Sequence, residues 1–213
     1  MKKVLLIGDS IRLGYDKYIK MAFEGKAEVV YPGSNCMFTG VVIRSLADWA
    51  DGCGVGKDLD LIHWNAGLWD DLVMLDGKRL TAPEVYAENI GRICDLIGIL
   101  FPNAKMIFAT STPVREELFG RLKRYNKDTE LYNRLACDIV KSRGGLIDDL
   151  YTHMSGVPDS FYSDMTHFYT REGTERITAK VAESIGGVLG IEPVLPDFDL
   201  IYGKKEVSGD TGF

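Results

Sequence analysis

Apolar residues along this chain follow two alternating patterns. Short continuous runs occupy residues 3–7, 28–31, 59–64, 105–109 and 146–147. Runs this short, set off by residues such as Gly8, Pro32, Asn65 and Gly145, read as strands buried on both faces. Between them the apolar spacing changes to three and four. Residues 11–23, 39–49, 83–100, 127–142 and 171–189 each carry an apolar helical face, such as Val42, Leu46 and Trp49. The punctuation agrees with this division. Pro83 stands where a first turn tolerates proline, Pro102 follows the end of that stretch, and Gly144-Gly145 closes the next helix.

Strand and helix therefore alternate, which predicts an α/β protein whose parallel sheet is covered by helices on both faces. Such sheets bind ligands beyond the carboxyl ends of their strands. Ser10 follows the first strand, Asn65 ends the third, and Ser111 and Thr112 follow the fourth, so one sheet edge collects them all. Two segments fall outside the repeat. Residues 66–82 form a long connection with Trp69, Asp70, Asp71 and a turn at Asp76-Gly77, long enough to predict a function or a small hairpin. Residues 192–213 contain Pro193 and Pro196 and read as a tail over the surface that frays at its end. The expected organisation is one domain over 1–190 with a C-terminal extension over 191–213, packed on that domain or fraying from it.

Composition narrows the function classes. A chain of 213 residues suits one core and is short for two. A net charge of −6 leaves no basic footprint for nucleic acid. The initial apolar run stops at Gly8-Asp9, too short for a signal-peptide core, and no later run would insert in a bilayer. Cys36, Cys53, Cys94 and Cys137 are widely spaced and form no C-x-x-C pair. They read as free thiols, with the cytoplasm as the default location. The histidines lack metal-ligand spacing and no phosphate-binding glycine pattern follows a strand, so neither metal nor cofactor is expected.

The chemistry lies at the two ends of the chain. Gly8-Asp9-Ser10 follows the first strand, and Asp164-Met165-Thr166-His167 precedes the last helix. A nucleophilic serine needs a base to take its proton, and that base needs a third group to hold its tautomer. His167 and Asp164 suit those two roles. Plainer readings stand beside this one. Ser10 suits an N-cap for the helix from Ile11, Asp164 and His167 a surface turn, and Asn65 a strand-end residue satisfying backbone. Asp9 reads as structural, bonding the turn that presents Ser10, and His63 as a packed, hydrogen-bonded histidine.

With these residues in view, the chain resembles the SGNH (GDSL-like) hydrolases over about residues 3–190. Gly8-Asp9-Ser10 fits that family's first block and Asp164-x-x-His167 its last. Of the third block, Gly-x-Asn-Asp, only Asn65 survives in His63-Trp64-Asn65-Ala66. The second block falls within Tyr31–Thr39, where Gly33 is the obvious glycine and Met37 the alternative if Thr39 sets the register. The resemblance implies a flavodoxin-like three-layer α/β/α fold with a five-stranded parallel sheet. It also implies acyl transfer to Ser10, with His167 as base and Asp164 as its partner. The oxyanion donors would be the Ser10 N–H, the Asn65 amide and one N–H from Gly33 or Met37. Trp64, Trp69 and Asp70 flank Asn65 and suit binding of a polyol or sugar, or else packing of the loop on the core. The expected activity is hydrolysis of a small-molecule ester with a small acyl group such as acetyl, on a carbohydrate. Thioesterase, lipase or lysophospholipase activity and a non-catalytic binding module are the alternatives, and the oligomeric state is left open.

Overall fold

The computed structural model describes residues 1–202; residues 203–213, the end of the expected extension, lie outside the described part. Five strands, β1 (Lys2–Ile7), β2 (Ala27–Val30), β3 (Leu61–Trp64), β4 (Lys105–Ala109) and β5 (Leu146–Asp148), form one sheet. All pairings are parallel and the strand order is β2-β1-β3-β4-β5. The helices are α1 (Ser10–Ala22), α2 (Thr39–Gly52), α3 (Pro83–Leu100), α4 (Asn126–Ser142), α5 (Leu150–Met154), α6 (Arg171–Leu189) and α7 (Phe198–Tyr202). This is the expected three-layer α/β/α architecture with flavodoxin-type strand order.

The two-residue period of a strand divides the core. Val4 and Leu6 face α1 and α6, packing on Tyr15, Ile19, Ile177 and Val181. Leu5 and Ile7 face the other way, toward α2, α3 and α4, among Val42, Leu46, Ile90 and Tyr132. All four β1 residues are fully buried, which is why the strand reads as a continuous apolar run and not as an alternation.

The details follow from local chemistry. Asp9 caps α1, its Oδ1 accepting from Ile11 N–H at 2.9 Å. The cap is therefore Asp9, not Ser10, and the Ser10 hydroxyl is released from that duty. β3 begins at Leu61 and not at residue 59, because Asp60 is engaged with the chain start. Its carboxylate accepts from Lys3 N–H at 2.8 Å and from Lys2 Nζ at 2.7 Å. Thr170 caps α6 by accepting from Gly173 N–H, and Gly190 ends it in the left-handed region at φ 67°.

The 66–82 connection contains a small hairpin, with Val73 bridged antiparallel to both Arg79 and Lys123. The described part of the extension packs on α1. Val194 N–H donates to Ala22 O at 2.9 Å, and Phe198 of α7 lies against Tyr18 with ring centroids 5.2 Å apart. The four cysteines are free, and among the described residues no helix is long and apolar enough to cross a membrane.

Candidate active site

Ser10 sits where β1 hands over to α1, at the carboxyl edge of the sheet. His167 and Asp164 lie in the loop that leads into α6. That loop is closed on itself, with Ser163 N–H donating to His167 O at 2.8 Å. His167 Nε2 is 2.7 Å from Ser10 Oγ, and His167 Nδ1 is 2.7 Å from Asp164 Oδ2. Asp164 Oδ1 also accepts from the backbone N–H groups of Thr166 and His167, at 2.7 and 2.8 Å. Partial burial pushes the Asp164 carboxyl up, but the hydrogen bond from His167 and those two N–H groups outweigh it and leave it below the ordinary value. Asp164 therefore remains an anion beside the imidazole.

Asn65 follows β3, and its backbone N–H donates to Ile7 O at 3.0 Å. This bond sets Asn65 beside the end of β1. Its Oδ1 lies so close to Gly8 Cα that a Cβ there would overlap it, and would also come within 2.8 Å of Arg12 Cβ. Glycine at position 8 is thus a requirement of close approach. Asp9 is fully buried, and burial raises its carboxyl above the ordinary value, only partly opposed by nearby Asn65 and the hydrogen bond from Ile11 N–H.

The 31–39 loop reaches the same place. Arg12 is fully buried and grips the loop from α1. Its Nη1 bonds Asp16 and donates to Pro32 O at 3.0 Å, while Nη2 donates to Ser34 O at 2.6 Å. Cys36 N–H donates to Gly8 O at 3.0 Å, which sets the next residue beside the Gly8-Asp9-Ser10 turn. That residue, Met37, has φ +54°, alone in the positive region among the described non-glycine residues. Its N–H donates to Asn35 Oδ1 at 2.9 Å. Gly33 is exposed, with open space around the position of a Cβ.

Two sequence-predicted residues need correction. Trp64 is fully buried on β3, edge-on to Phe108 at 4.9 Å between ring centroids, and presents no surface to a substrate. Strand alternation turns it into the α2–α3–α4 core. Asp70 is also fully buried, accepting from Thr39 N–H at 3.1 Å and Thr39 Oγ1 at 2.6 Å, so it holds the first turn of α2 from outside. Trp69 is half-buried and keeps a surface. Ser111 and Thr112 are buried under the edge, and Ser111 N–H donates to Asn133 Oδ1 at 2.8 Å. His63 is a packed histidine, its Nε2 3.0 Å from buried Asp148 Oδ2.

Burial pushes the Asp70 carboxyl up to about 6, against the Thr39 hydrogen bonds. The unfolded chain releases this proton near pH ~3.9. Its contribution to stability is therefore complete below that pH and is lost as the pH rises through about 6. The urea midpoint is expected to fall across this window, and Asp70→Asn, measured at both ends, is expected to flatten the fall.

Sequence reasoning missed a second buried ion pair. Arg124 Nε lies 3.4 Å from Asp71 Oδ1 and donates to Leu68 O, while its Nη1 reaches Thr166 Oγ1 at 3.3 Å. It ties the loop after β3 to the Asp164–His167 loop. Tyr169 was missed as well. Its ring stacks on His167 at 4.7 Å between centroids, and its hydroxyl donates to Ser10 O. No spacing rule marks either residue, because Arg124 and the Tyr169 hydroxyl bond groups distant in sequence.

The structure thus defines a doubly covered parallel α/β protein with a hydrogen-bonded Ser–His–Asp row at the carboxyl edge of its sheet. Solved structures share this fold. The lipase/acylhydrolase from Enterococcus faecalis matches with a TM-score of 0.70 and 21% identity, covering 92% of this chain and 100% of that one. A GDSL-like lipase from Bacteroides thetaiotaomicron matches with a TM-score of 0.64 and 18% identity, covering 87% and 88%. A catalytic mutant of Axe2, an acetylxylan esterase from Geobacillus stearothermophilus, matches with a TM-score of 0.67 and 16% identity, covering 87% and 94%. No family model and no curated protein sequence matches the chain. The fold is that of the GDSL-like lipases and acylhydrolases.

Proposed function

We propose that this protein is a serine hydrolase that cleaves carboxylic esters through an acyl-Ser10 intermediate. The observation that carries this reading is the unbroken row Ser10 Oγ, His167 Nε2, His167 Nδ1, Asp164 Oδ2, with 2.7 Å at both links. His167 takes the Ser10 proton as Oγ attacks the ester carbonyl, then gives it to the departing alcohol. A water molecule repeats the sequence against the acyl-serine, with His167 again the base. Asp164, held ionised by its hydrogen bonds, stabilises the imidazolium in both halves.

The oxyanion donors are the Ser10 N–H, the Asn65 amide and the Met37 N–H, which gives up its bond to Asn35 Oδ1 to reach the oxyanion. Met37 is the better candidate than Gly33. Its backbone adopts the left-handed conformation that glycine favours, and the bond from Cys36 N–H to Gly8 O sets it next to the nucleophile turn. Such strain in a non-glycine residue is a feature of functional sites.

The substrate assigned is a small acyl ester of a carbohydrate. Half-buried Trp69 follows Asn65 by four positions and offers an aromatic surface for a sugar ring. Similar folds include two acetylxylan esterases. A longer acyl group is the second reading, since similar folds also include GDSL-like lipases.

Hydrolysis of p-nitrophenyl acetate and butyrate by wild type and Ser10→Ala tests this reading. Turnover that prefers acetate and disappears in Ser10→Ala is the expected result. A preference for butyrate would move the assignment to longer acyl chains. Equal turnover by both proteins would remove Ser10 from the mechanism, and no wild-type turnover would leave a binding module on this fold.

A further inference from the structure

Tyr169 immediately precedes the α6 cap Thr170 and follows His167 by two residues. Consecutive side chains there have little freedom. Phe168 is buried in the core, Thr170 Oγ1 both caps α6 and donates to Phe161 O at 2.8 Å, and Tyr169 N–H donates to Ser163 Oγ at 3.3 Å. The Tyr169 ring is consequently delivered to one place. It lies nearly parallel to the His167 imidazole, at 25° between planes, and its hydroxyl reaches back across the imidazole to the Ser10 carbonyl.

The opposite wall is α1, where Gly14 leaves a notch. A Cβ at Gly14 would stand 2.6 Å from Tyr169 Cε1 and 2.9 Å from Cδ1. One ring therefore bridges the nucleophile's own helix and the base. The phenol is pushed above its ordinary range by burial and by the charges of Asp9 and Asp164, so it stays protonated and remains a donor to Ser10 O.

We propose that Tyr169 is the positioning residue of this site, clamping His167 against Ser10 by stacking on the imidazole and hydrogen-bonding the Ser10 carbonyl, with the Gly14 notch as its seat. The imidazole is otherwise held only along its edge, through Nδ1 to a half-exposed Asp164 and through Nε2 to Ser10 Oγ. Both bonds lie in the ring plane, so they leave the ring free to tilt about the line that joins them, and the Nε2 bond is given up when Ser10 attacks. The tyrosine face removes that freedom, and its hydroxyl references the ring to the backbone of the residue that His167 must deprotonate. The same face offers its π-electron density to the cation that forms on His167 during acyl transfer. A displacement of about 1 Å between reacting groups costs up to about a hundredfold in rate, so a swinging base is expensive even when all three triad residues remain.

This inference rests on the triad reading, and the experiment separates the two. The variants are Tyr169→Phe, Tyr169→Leu, Gly14→Ala and the Gly14→Ala/Tyr169→Leu double variant, each in the full chain and checked for an unchanged thermal transition. Two rates are followed, turnover of p-nitrophenyl acetate and phosphonylation of Ser10 by a fluorophosphonate probe, which needs no ester substrate.

The expected result is a fall in kcat of about 10- to 100-fold for Tyr169→Leu with KM nearly unchanged, and a matching fall in the labelling rate. Tyr169→Phe, which keeps the stack and loses the hydroxyl, is expected to recover most of the rate. Gly14→Ala is expected to slow both reactions by about tenfold in the wild-type background and to have little effect once Tyr169 is leucine, because the two act through one contact.

Labelling and kcat unchanged in Tyr169→Leu would overturn the clamp, as would a Gly14→Ala effect of equal size in both backgrounds. If the wild type labels but hydrolyses no ester, the esterase reading fails and the labelling rates still decide the clamp. If the wild type does neither, both fall.

Discussion

Replacing His167 with alanine is expected to lower ester turnover by on the order of 10⁶-fold, and removing Ser10 as well is expected to cost almost nothing more. The reason is that the Ser10 hydroxyl is a weak nucleophile until a base takes its proton, and the other histidines are committed elsewhere. His63 is sealed against Asp148, and His153 Nε2 faces Arg176 O at 3.2 Å. Either single loss therefore disables the same step, so the losses do not add. The residual rate in all three variants would come from the oxyanion donors, which both substitutions leave in place. Burst-phase and steady-state kinetics on p-nitrophenyl acetate measure this directly. Single losses that multiply in the double variant would show that Ser10 and His167 act independently and would refute the relay.

Gly8→Ala is expected to be the next most damaging change, although residue 8 never touches a substrate. A methyl group there overlaps Asn65 Oδ1 and presses on Arg12 Cβ. On the proposed mechanism, displacing Asn65 would remove one oxyanion donor, a loss of about 100-fold in kcat. Displacing Arg12 disturbs the guanidinium that holds Pro32 O and Ser34 O, and so the approach of Met37. Overpacking of this kind costs about 1–3 kcal/mol of stability. Urea unfolding and kcat measured together separate the two effects. An unchanged kcat in a folded Gly8→Ala protein would remove Asn65 from the proposed oxyanion site.

Much of the fold was legible in the chain because its signals are local and redundant. The helix bounds Pro83–Leu100 and Arg171–Leu189 match the sequence reading, since a proline opens the first and Gly190 stops the second. β4 matches as well, an interior strand flanked by β3 and β5. The juxtaposition of Ser10 and Asn65 was also readable, because an α/β repeat places strand ends along one edge, while Asp164 and His167 were joined to Ser10 only by the needs of a nucleophilic serine.

Burial was not legible. Trp64 and Asp70 are polar or aromatic neighbours of Asn65 in sequence, yet one turns into the core and the other caps α2. A one-residue step along a strand reverses direction, and composition carries no trace of that. Arg12, Arg124 and Tyr169 were missed for a related cause. Each works through partners on other elements, such as Ser34 O, Thr166 Oγ1 and Ser10 O, that only the assembled fold brings near.

The Ser10 and His167 side chains meet across a separation of 157 residues. Synthesis therefore completes Ser10 and α1 long before His167 is added. On the proposed mechanism an incomplete chain would carry Ser10 without its base. By the same mechanism the reactive state would be assembled only when α6 and the loop before it close over α1, so a truncation ahead of Asp164 is expected to yield a silent protein.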